Sequence, residues 1–113
     1  MGKQLTIFPN NEWENFSHLF TRQEIPARTI LLREGQVSKT AYYIEKGCMR
    51  SWFNNNGKDI TFQFFFEGEA VSSVESFRTG QPSLFTIESI EASTVHSISK
   101  EDFQFITDHS PAI

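Results

Sequence analysis

Residues 41–66 read AYYIEKGCMRSWFNNNGKDITFQFFF and contain three short β-favouring runs separated by two turn signals. Gly47 lies between the first two runs, and Asn56-Gly57 lies between the second and the third. An Asn-Gly pair supplies the positive φ angles that a two-residue hairpin turn requires. This stretch therefore predicts three consecutive antiparallel strands, the last two joined as a tight hairpin.

The third run is unusually rich in phenylalanine. Every second residue from 60 to 66 is apolar, and successive side chains in a strand point to opposite faces. We predict that this apolar face packs in the core, as do most of the 12 phenylalanines in the chain; the face comprises Ile60, Phe62, Phe64 and Phe66. Phe65 falls on the opposite face, where we expect it to be exposed towards a partner.

Strand and helix signals continue on both sides of this stretch. Short β-favouring runs occupy residues 29–32, 85–90 and 94–98. A helix is predicted over 11–21, where Asn11 precedes apolar residues at helical spacing, and another after the cap Ser99. Residues 67–83 form a long polar segment without a strand signal, and such segments inside compact domains are usually functional.

The order of these elements is helix, many short strands, helix. It predicts a mainly β fold, namely a double-stranded β-helix (a jelly-roll-like β-roll) with flanking α-helices. A length of 113 residues corresponds to one domain.

Composition excludes several kinds of function. Ten basic against 14 acidic residues give a net charge of −4, which argues against a nucleic-acid grip in this segment. The single cysteine, Cys48, is interpreted as a small apolar strand residue, and the three histidines form no His-x-His pair. We therefore expect no catalytic residue, no metal and no cofactor. The longest apolar run is far below the ~20 residues that span a bilayer, which favours a cytoplasmic protein without membrane contact.

A set of spaced motifs resembles the cyclic-nucleotide-binding β-roll. The motifs are Glu34-Gly35-Gln36, then Tyr42 to Arg50 with Gly47 at a corner, then Phe66-Glu67-Gly68-Glu69. More narrowly, the chain resembles the sensor domain of bacterial regulators in the cyclic AMP receptor protein and fumarate/nitrate regulator superfamily. The resemblance covers about residues 10–110. It implies an eight-stranded roll. The oxygen-sensing members of this superfamily bind an iron–sulfur cluster through several cysteines, and the one cysteine of this chain cannot supply that cluster.

The resemblance also implies what would follow the roll in a complete regulator. In this superfamily a long dimerisation helix comes next, and then a helix-turn-helix domain. Ser110-Pro111 stands where that helix would begin. We therefore expect residues 1–113 to be the sensor domain alone. DNA would be bound only through a C-terminal domain after residue 113, and the full-length protein is expected to be a homodimer.

The phosphate-binding cassette departs from the family pattern. Cyclic-nucleotide binders carry a Gly-Glu pair, whose Glu binds the ribose, and later an Arg that pairs with the phosphate. Here Ser72-Ser73 stand in the Gly-Glu place, and Pro82 or Ser83 stands in the Arg place. Because a buried phosphate needs a fixed cation or a helix N-terminus, we predict no useful affinity for cyclic AMP or cyclic GMP.

The same segment supplies the candidate ligand-binding residues. Arg78 is interpreted as a solvated loop arginine in preference to an anion-capturing one, and the serines are either pocket-lining residues or ordinary caps and loops. The candidate pocket comprises Ser72, Ser73, Glu75, Ser76, Arg78, Gln81 and Ser83. The effector would be a small molecule of unknown identity, or there would be none.

Three functions remain open at this point. The first is the effector-sensing domain of a transcription regulator, which acts by shifting a conformational population. The second is a stand-alone small-molecule-binding regulatory β-roll with no DNA-binding partner domain. The third, a metal-dependent barrel enzyme, lacks the histidine pairs that such a site requires.

Overall fold

The computed structural model describes residues 15–109 and contains eight strands, two α-helices and one 3-10 turn. The turn is Ser17–Leu19, and the helices are α1 Val74–Thr79 and α2 Lys100–His109. The strands are β1 Thr21–Ile25, β2 Ile30–Leu32, β3 Thr40–Lys46, β4 Met49–Asn55, β5 Lys58–Phe65, β6 Ala70–Val71, β7 Thr86–Ser89 and β8 Ser93–Ser99.

The strands form two four-stranded antiparallel sheets. One sheet has the order β1-β8-β3-β6 and the other the order β2-β7-β4-β5. The main core lies between the sheets, because strands of both contribute to it: Leu32, Ile44, Met49, Val71, Ile87 and Val95. The prediction of a β-roll with flanking helices is confirmed.

A second core lies on the other side of the first sheet. Tyr43 and Ile98 project from β3 and β8 against Phe16 and against Ile106 of α2. Helix α2 begins as its sequence predicts, since the Ser99 hydroxyl accepts the backbone N–H of Asp102 at 3.1 Å. This helix therefore closes the outer face of the first sheet.

The predicted β4–β5 hairpin is confirmed at its turn. Asn56 and Gly57 have φ angles of 56° and 88°, as the Asn-Gly signal requires. The β3–β4 corner uses Gly47, with φ 113°, directly against the backbone and side chain of Ser93. Cys48 lies in this corner and not in a strand, and burial together with the charge of Glu91 raises the pKa of its thiol.

The prediction of one helix over residues 11–21 is wrong at its C-terminal end. Residues 11–14 lie outside the described part of the chain, the helical turn ends at Leu19, and Thr21 already begins β1. Strand β1 pairs along its whole length with β8, from Thr21 opposite Ser97 to Ile25 opposite Ser93. Pairing with a distant strand, which local sequence cannot reveal, fixes this segment as a strand.

The assignment of the phenylalanine face to the core is also wrong. Met49 is fully buried, and its partner across the β4–β5 ladder is Phe65, so Phe65 faces the core. Phe64 and Phe66 are about half exposed, with ring centroids 6.5 Å apart. Ile60 is exposed as well, but it lies beyond the register shift of β5, opposite Phe53. The apolar residues of this strand do alternate, but the buried residues of the partner strand decide which set of side chains faces the core.

Phe62 has a different reason for its exposure. The register shifts between Ser51 and Trp52, which pair with Gln63 and Thr61, so Phe62 is the extra residue of a β-bulge. Its ring lies 5.1 Å from that of Phe85 and 5.9 Å from that of Phe53, and the residue is 49% exposed. The bulge re-aims this side chain towards the segment that follows α1.

The outer face of the second sheet carries a polar cluster around Glu88. The Arg50 guanidinium donates to Glu88 Oε1 at 2.9 Å and 3.2 Å and to the Thr61 hydroxyl at 2.7 Å. The Trp52 indole donates to the same Glu88 oxygen at 2.9 Å, and Arg50 lies 5.1 Å from the Trp52 ring centre. Trp52 therefore stabilises this outer face through Glu88 and Arg50 and does not pack between the sheets.

Glu45 ties three strands of the first sheet together. Its Oε1 accepts the Arg22 Nε–H at 3.0 Å and lies 2.8 Å from His96 Nε2. The Arg22 hydrogen bond, and after it the His96 hydrogen bond, lowers the pKa of Glu45 from 4.5 to about 2. The carboxylate thus favours the folded state while it is charged.

Neutralising Glu45 should make stability less dependent on pH. Its pKa is lower in the folded chain, so its contribution is complete above pH 4.5 and is lost as the pH falls towards 2. We expect Glu45→Gln to reduce the free energy of unfolding by about 1 kcal/mol at pH 6, and by much less at pH 3. Urea unfolding at both pH values measures this. Glu24→Gln is the control, because Glu24 is exposed and its contact with the same Arg22 is longer, at 3.9 Å. An equal loss at pH 6 and pH 3 for Glu45→Gln would contradict the assignment of this pH dependence to Glu45.

Candidate ligand-binding cassette

The segment after β5 was expected to lack a strand, yet it holds a short strand and a short helix. Strand β6 pairs with β3 through Val71 opposite Tyr42, and Val71 is fully buried. Helix α1 follows and ends at Gly80, whose N–H bonds to the Ser76 carbonyl at 2.8 Å. This segment therefore places a short helix between β6 and β7.

The loop after α1 is fastened to the β2–β3 loop. Pro82 and Val37 form an antiparallel bridge. On its two sides, the Gly35 N–H donates to the Ser83 carbonyl and the Ser83 N–H donates to the Gln36 carbonyl, both at 2.7 Å. The backbone of residues 82–83 is thus fixed by a segment more than 40 positions earlier.

Three of the predicted serines are buried: Ser73, Ser76 and Ser83. The Ser83 hydroxyl donates to the Phe85 carbonyl at 2.7 Å and accepts the Phe85 N–H at 3.2 Å. It also lies 3.0 Å from the Ser73 hydroxyl, so the two buried serines share a hydrogen bond. Ser83 is therefore fully used in holding the loop.

Ser76 links α1 to the β2–β3 loop. Its hydroxyl accepts the backbone N–H of Ser38 at 2.7 Å in a buried position. Phe77 anchors the other side of the helix, with its ring 5.6 Å from that of Phe103 on α2. The position of α1 is consequently fixed by contacts with the β2–β3 loop on one side and with α2 on the other.

A cavity of about 440 Å³ opens between α1, the loop after it and the bulge of β5. Four predicted residues line it, namely Ser73, Glu75, Ser76 and Gln81. The rest of its wall is apolar and consists of Phe62, Pro82, Leu84 and Phe85. The structure therefore brings more than half of the predicted set together around one hollow.

The remaining predicted residues lie elsewhere. Arg78 has a side chain 68% exposed to solvent, and its Nη2 is 4.0 Å from Glu75 Oε1 on the surface of α1. Ser72 is half-buried before the helix, and Ser83 is committed to the loop as described. None of the three lines the cavity.

Sequence reasoning missed the apolar wall. Phe62 had been assigned to the core and Phe85 to a strand, and Leu84 had no assigned role. Leu84 is 80% exposed, which is unusual for a large apolar residue beside a buried serine. The available signal was the apolar pair Leu84-Phe85 directly after the long polar segment 67–83.

Pro82 and Ser83 differ in what they offer this cavity. Pro82 lines it, whereas Ser83 is buried among backbone bonds with no room for a long side chain. Of the two places considered for the phosphate arginine, only that of Pro82 gives access to the hollow. Among the described lining residues, Glu75 alone has an ionisable side chain.

Within residues 15–109, no group of three His, Cys, Asp or Glu side chains is arranged to hold a metal ion. In the same part of the chain, no helix has the length and apolar character needed to cross a bilayer.

The fold has two four-stranded antiparallel sheets, a helix packed on the outer face of the first sheet and a short helix beside the cavity. This arrangement is a β-roll of the cyclic-nucleotide-binding type. The family model "Cyclic nucleotide-binding domain" matches residues 22–110. The chain belongs to this family.

Similar proteins agree with that placement. The chain is 26% identical over 114 aligned positions to the "cAMP-activated global transcriptional regulator CRP" of Salmonella typhimurium, and equally to that of Shigella flexneri. The match covers all of this chain and 53% of each relative, so the chain spans about half the length of the curated relatives it matches.

Solved structures show the same fold at lower identity. The Thermus thermophilus catabolite activator protein superposes with a TM-score of 0.82 at 17% identity, over 95% of this chain and 50% of that one. The CO-dependent transcription factor CooA of Carboxydothermus hydrogenoformans (imidazole-bound form) gives 0.73 at 17% identity, over 98% of this chain and 47% of that one. The predicted resemblance to the regulator superfamily is confirmed.

Proposed function

We propose that this domain is the effector-sensing part of a bacterial transcription regulator and that its cassette does not hold a cyclic phosphate. The curated relatives are transcription regulators, which supports a regulatory and non-enzymatic role in the cytoplasm. DNA contacts and dimerisation belong, in this proposal, to the half of such a regulator that the chain does not span. A ligand would act by favouring one packing of the roll against that half.

The lining of the cavity supports the proposal that the cassette does not hold a cyclic phosphate. Of the two positions at which the family pattern would place the phosphate-binding arginine, residues 82 and 83, neither is basic here; Pro82 lines the cavity, and among the described lining residues Glu75 alone is ionisable. A cyclic phosphate entering it would lose hydration without gaining a cationic partner, which costs several kcal/mol for a buried charge. Arg78 does not remedy this, because it lies on the solvent side of α1.

Calorimetric titration of the 113-residue chain with cyclic AMP and cyclic GMP tests the proposal. We expect no saturable heat with either nucleotide at concentrations up to roughly the millimolar range, which corresponds to less than about 4 kcal/mol of binding free energy. The cyclic AMP-activated regulator of Salmonella typhimurium is the positive control under the same conditions. A dissociation constant in the micromolar range for either nucleotide would refute the proposal.

The stand-alone alternative differs only in what accompanies the roll. The reading frame on either side of these 113 residues distinguishes it from the regulator, because only the regulator requires a dimer helix and a DNA-binding domain.

A further inference from the structure

The wall of the cassette cavity is mainly apolar and partly uncovered. Leu84 and Phe62 are 80% and 49% exposed, and both line the cavity together with Pro82 and Phe85. The Phe62 and Phe85 rings meet edge to face at 5.1 Å and form one continuous aromatic surface. Exposed apolar residues that converge on one hollow are typical of a site that buries a ligand.

The floor of the cavity offers hydrogen bonds without charge. Ser76 Oγ accepts the Ser38 N–H, and Ser73 Oγ shares one hydrogen bond with Ser83 Oγ. Whichever of these two serines donates, a lone pair of Ser73 remains for a donor on the ligand. Gln81 adds a side-chain amide that both donates and accepts. These groups can orient a polar substituent.

The charges around the cavity oppose an anion. Glu75 lines it, and the neighbouring Arg78 is 4.0 Å from that carboxylate on the exposed surface of α1, where solvent screens it. The Glu75 side chain is itself 74% exposed, so solvent weakens its repulsion of a negative group without removing it, and none of the described lining residues is cationic. A neutral molecule incurs no such cost.

We propose that the cassette cavity binds an uncharged ligand with an aromatic or aliphatic body, held between Phe62, Phe85 and Leu84 and oriented by the serine floor. This inference rests on the proposed function, since it names the class of effector for the same site. The volume of about 440 Å³ lies in the range of pockets that enclose small organic ligands.

A matched pair of fluorescent probes separates shape from charge. N-phenylnaphthylamine is neutral, and anilinonaphthalene sulfonate has the same rings with one added sulfonate. We expect the neutral probe to bind one site per chain, about tenfold or more tighter than the sulfonate. Equal affinity of the two probes, or tighter binding of the sulfonate, would overturn the proposal.

Variants at two exposed apolar positions locate the probe. Leu84→Ser should weaken binding of the neutral probe about fivefold or more, because it removes one wall of the cavity. Phe66→Ser is the matched control, because Phe66 is 55% exposed but does not line the cavity. Thermal unfolding checks that both variants stay folded. Loss of binding in Phe66→Ser but not in Leu84→Ser would move the probe to the Phe64–Phe66 surface and overturn the proposal.

A charge variant tests the electrostatic part. Glu75→Gln should tighten binding of the sulfonated probe about threefold and leave the neutral probe within experimental error. An unchanged sulfonate affinity would contradict the role given to Glu75.

The cyclic AMP titration keeps the two proposals distinguishable. A chain that binds neither probe and no cyclic nucleotide overturns the neutral-ligand inference alone. A chain that binds cyclic AMP at micromolar concentration overturns the proposed function itself.

Discussion

Replacing Gly47 by alanine should lower the free energy of unfolding by about 3–5 kcal/mol, a large part of the 5–15 kcal/mol typical of a domain. Gly47 has a φ of 113°, which L side chains rarely adopt, and an added Cβ would lie 2.8 Å from the Cα of Ser93. Backbone cannot move aside as the end of a flexible side chain can, so strain and overlap add. Urea denaturation followed by circular dichroism measures the loss.

Gly57→Ala provides the matched control. Gly57 also has a positive φ, of 88°, but no atom lies within 4 Å of its ideal Cβ position. It carries only the backbone penalty, and we expect a loss of about 1–2 kcal/mol. Equal losses for the two variants would show that close packing against Ser93 does not matter at the β3–β4 corner.

Pro82→Arg should give the cavity affinity for cyclic AMP. A guanidinium at this position supplies the missing cation, and one charge-assisted pair of this kind corresponds to about 30-fold or more in the dissociation constant. The fold should tolerate the change, because the flanking bonds between the two loops use Gly35, Gln36 and Ser83 rather than Pro82 itself. Calorimetry with cyclic AMP measures the gain.

Two controls make the origin of that gain clear. Asn55→Arg adds the same charge at an exposed position of the β4–β5 hairpin, away from the cavity lining, and should bind no tighter than the parent chain. Adenosine lacks the phosphate, so its affinity should not increase in Pro82→Arg. A variant that binds cyclic AMP no better than the parent would contradict the assignment of the arginine place to residue 82.

Local sequence patterns predicted most of the strands, but not which face of each strand is buried. The strands beside strong turn signals were found, because Asn-Gly and the β3–β4 corner constrain the backbone directly. Strand β1 was missed because four of its five residues are exposed and no apolar alternation marks it. The phase of β5 was assigned from its own hydrophobicity, whereas the burial of Met49 on the neighbouring strand decides it.

The site was predicted in part for a related reason. Its polar members fall in one continuous segment, so a family motif could point to Ser73, Glu75, Ser76 and Gln81. Phe62 reaches the same cavity only because of a bulge in a strand some ten residues earlier. A bulge depends on the register between two strands, which a single sequence does not display.

The strand order has a consequence for how the chain acquires its structure. Among the described strands, β4 and β5 are the one neighbouring pair that also follow each other directly along the chain. Strand β1 cannot pair until β8 is present, because Thr21 lies opposite Ser97 of that last strand. Folding therefore depends on closing long loops, which makes it slow relative to helical domains of this size. During synthesis on the ribosome, the hairpin is the natural first element, and the first sheet cannot close until β8 has left the exit tunnel.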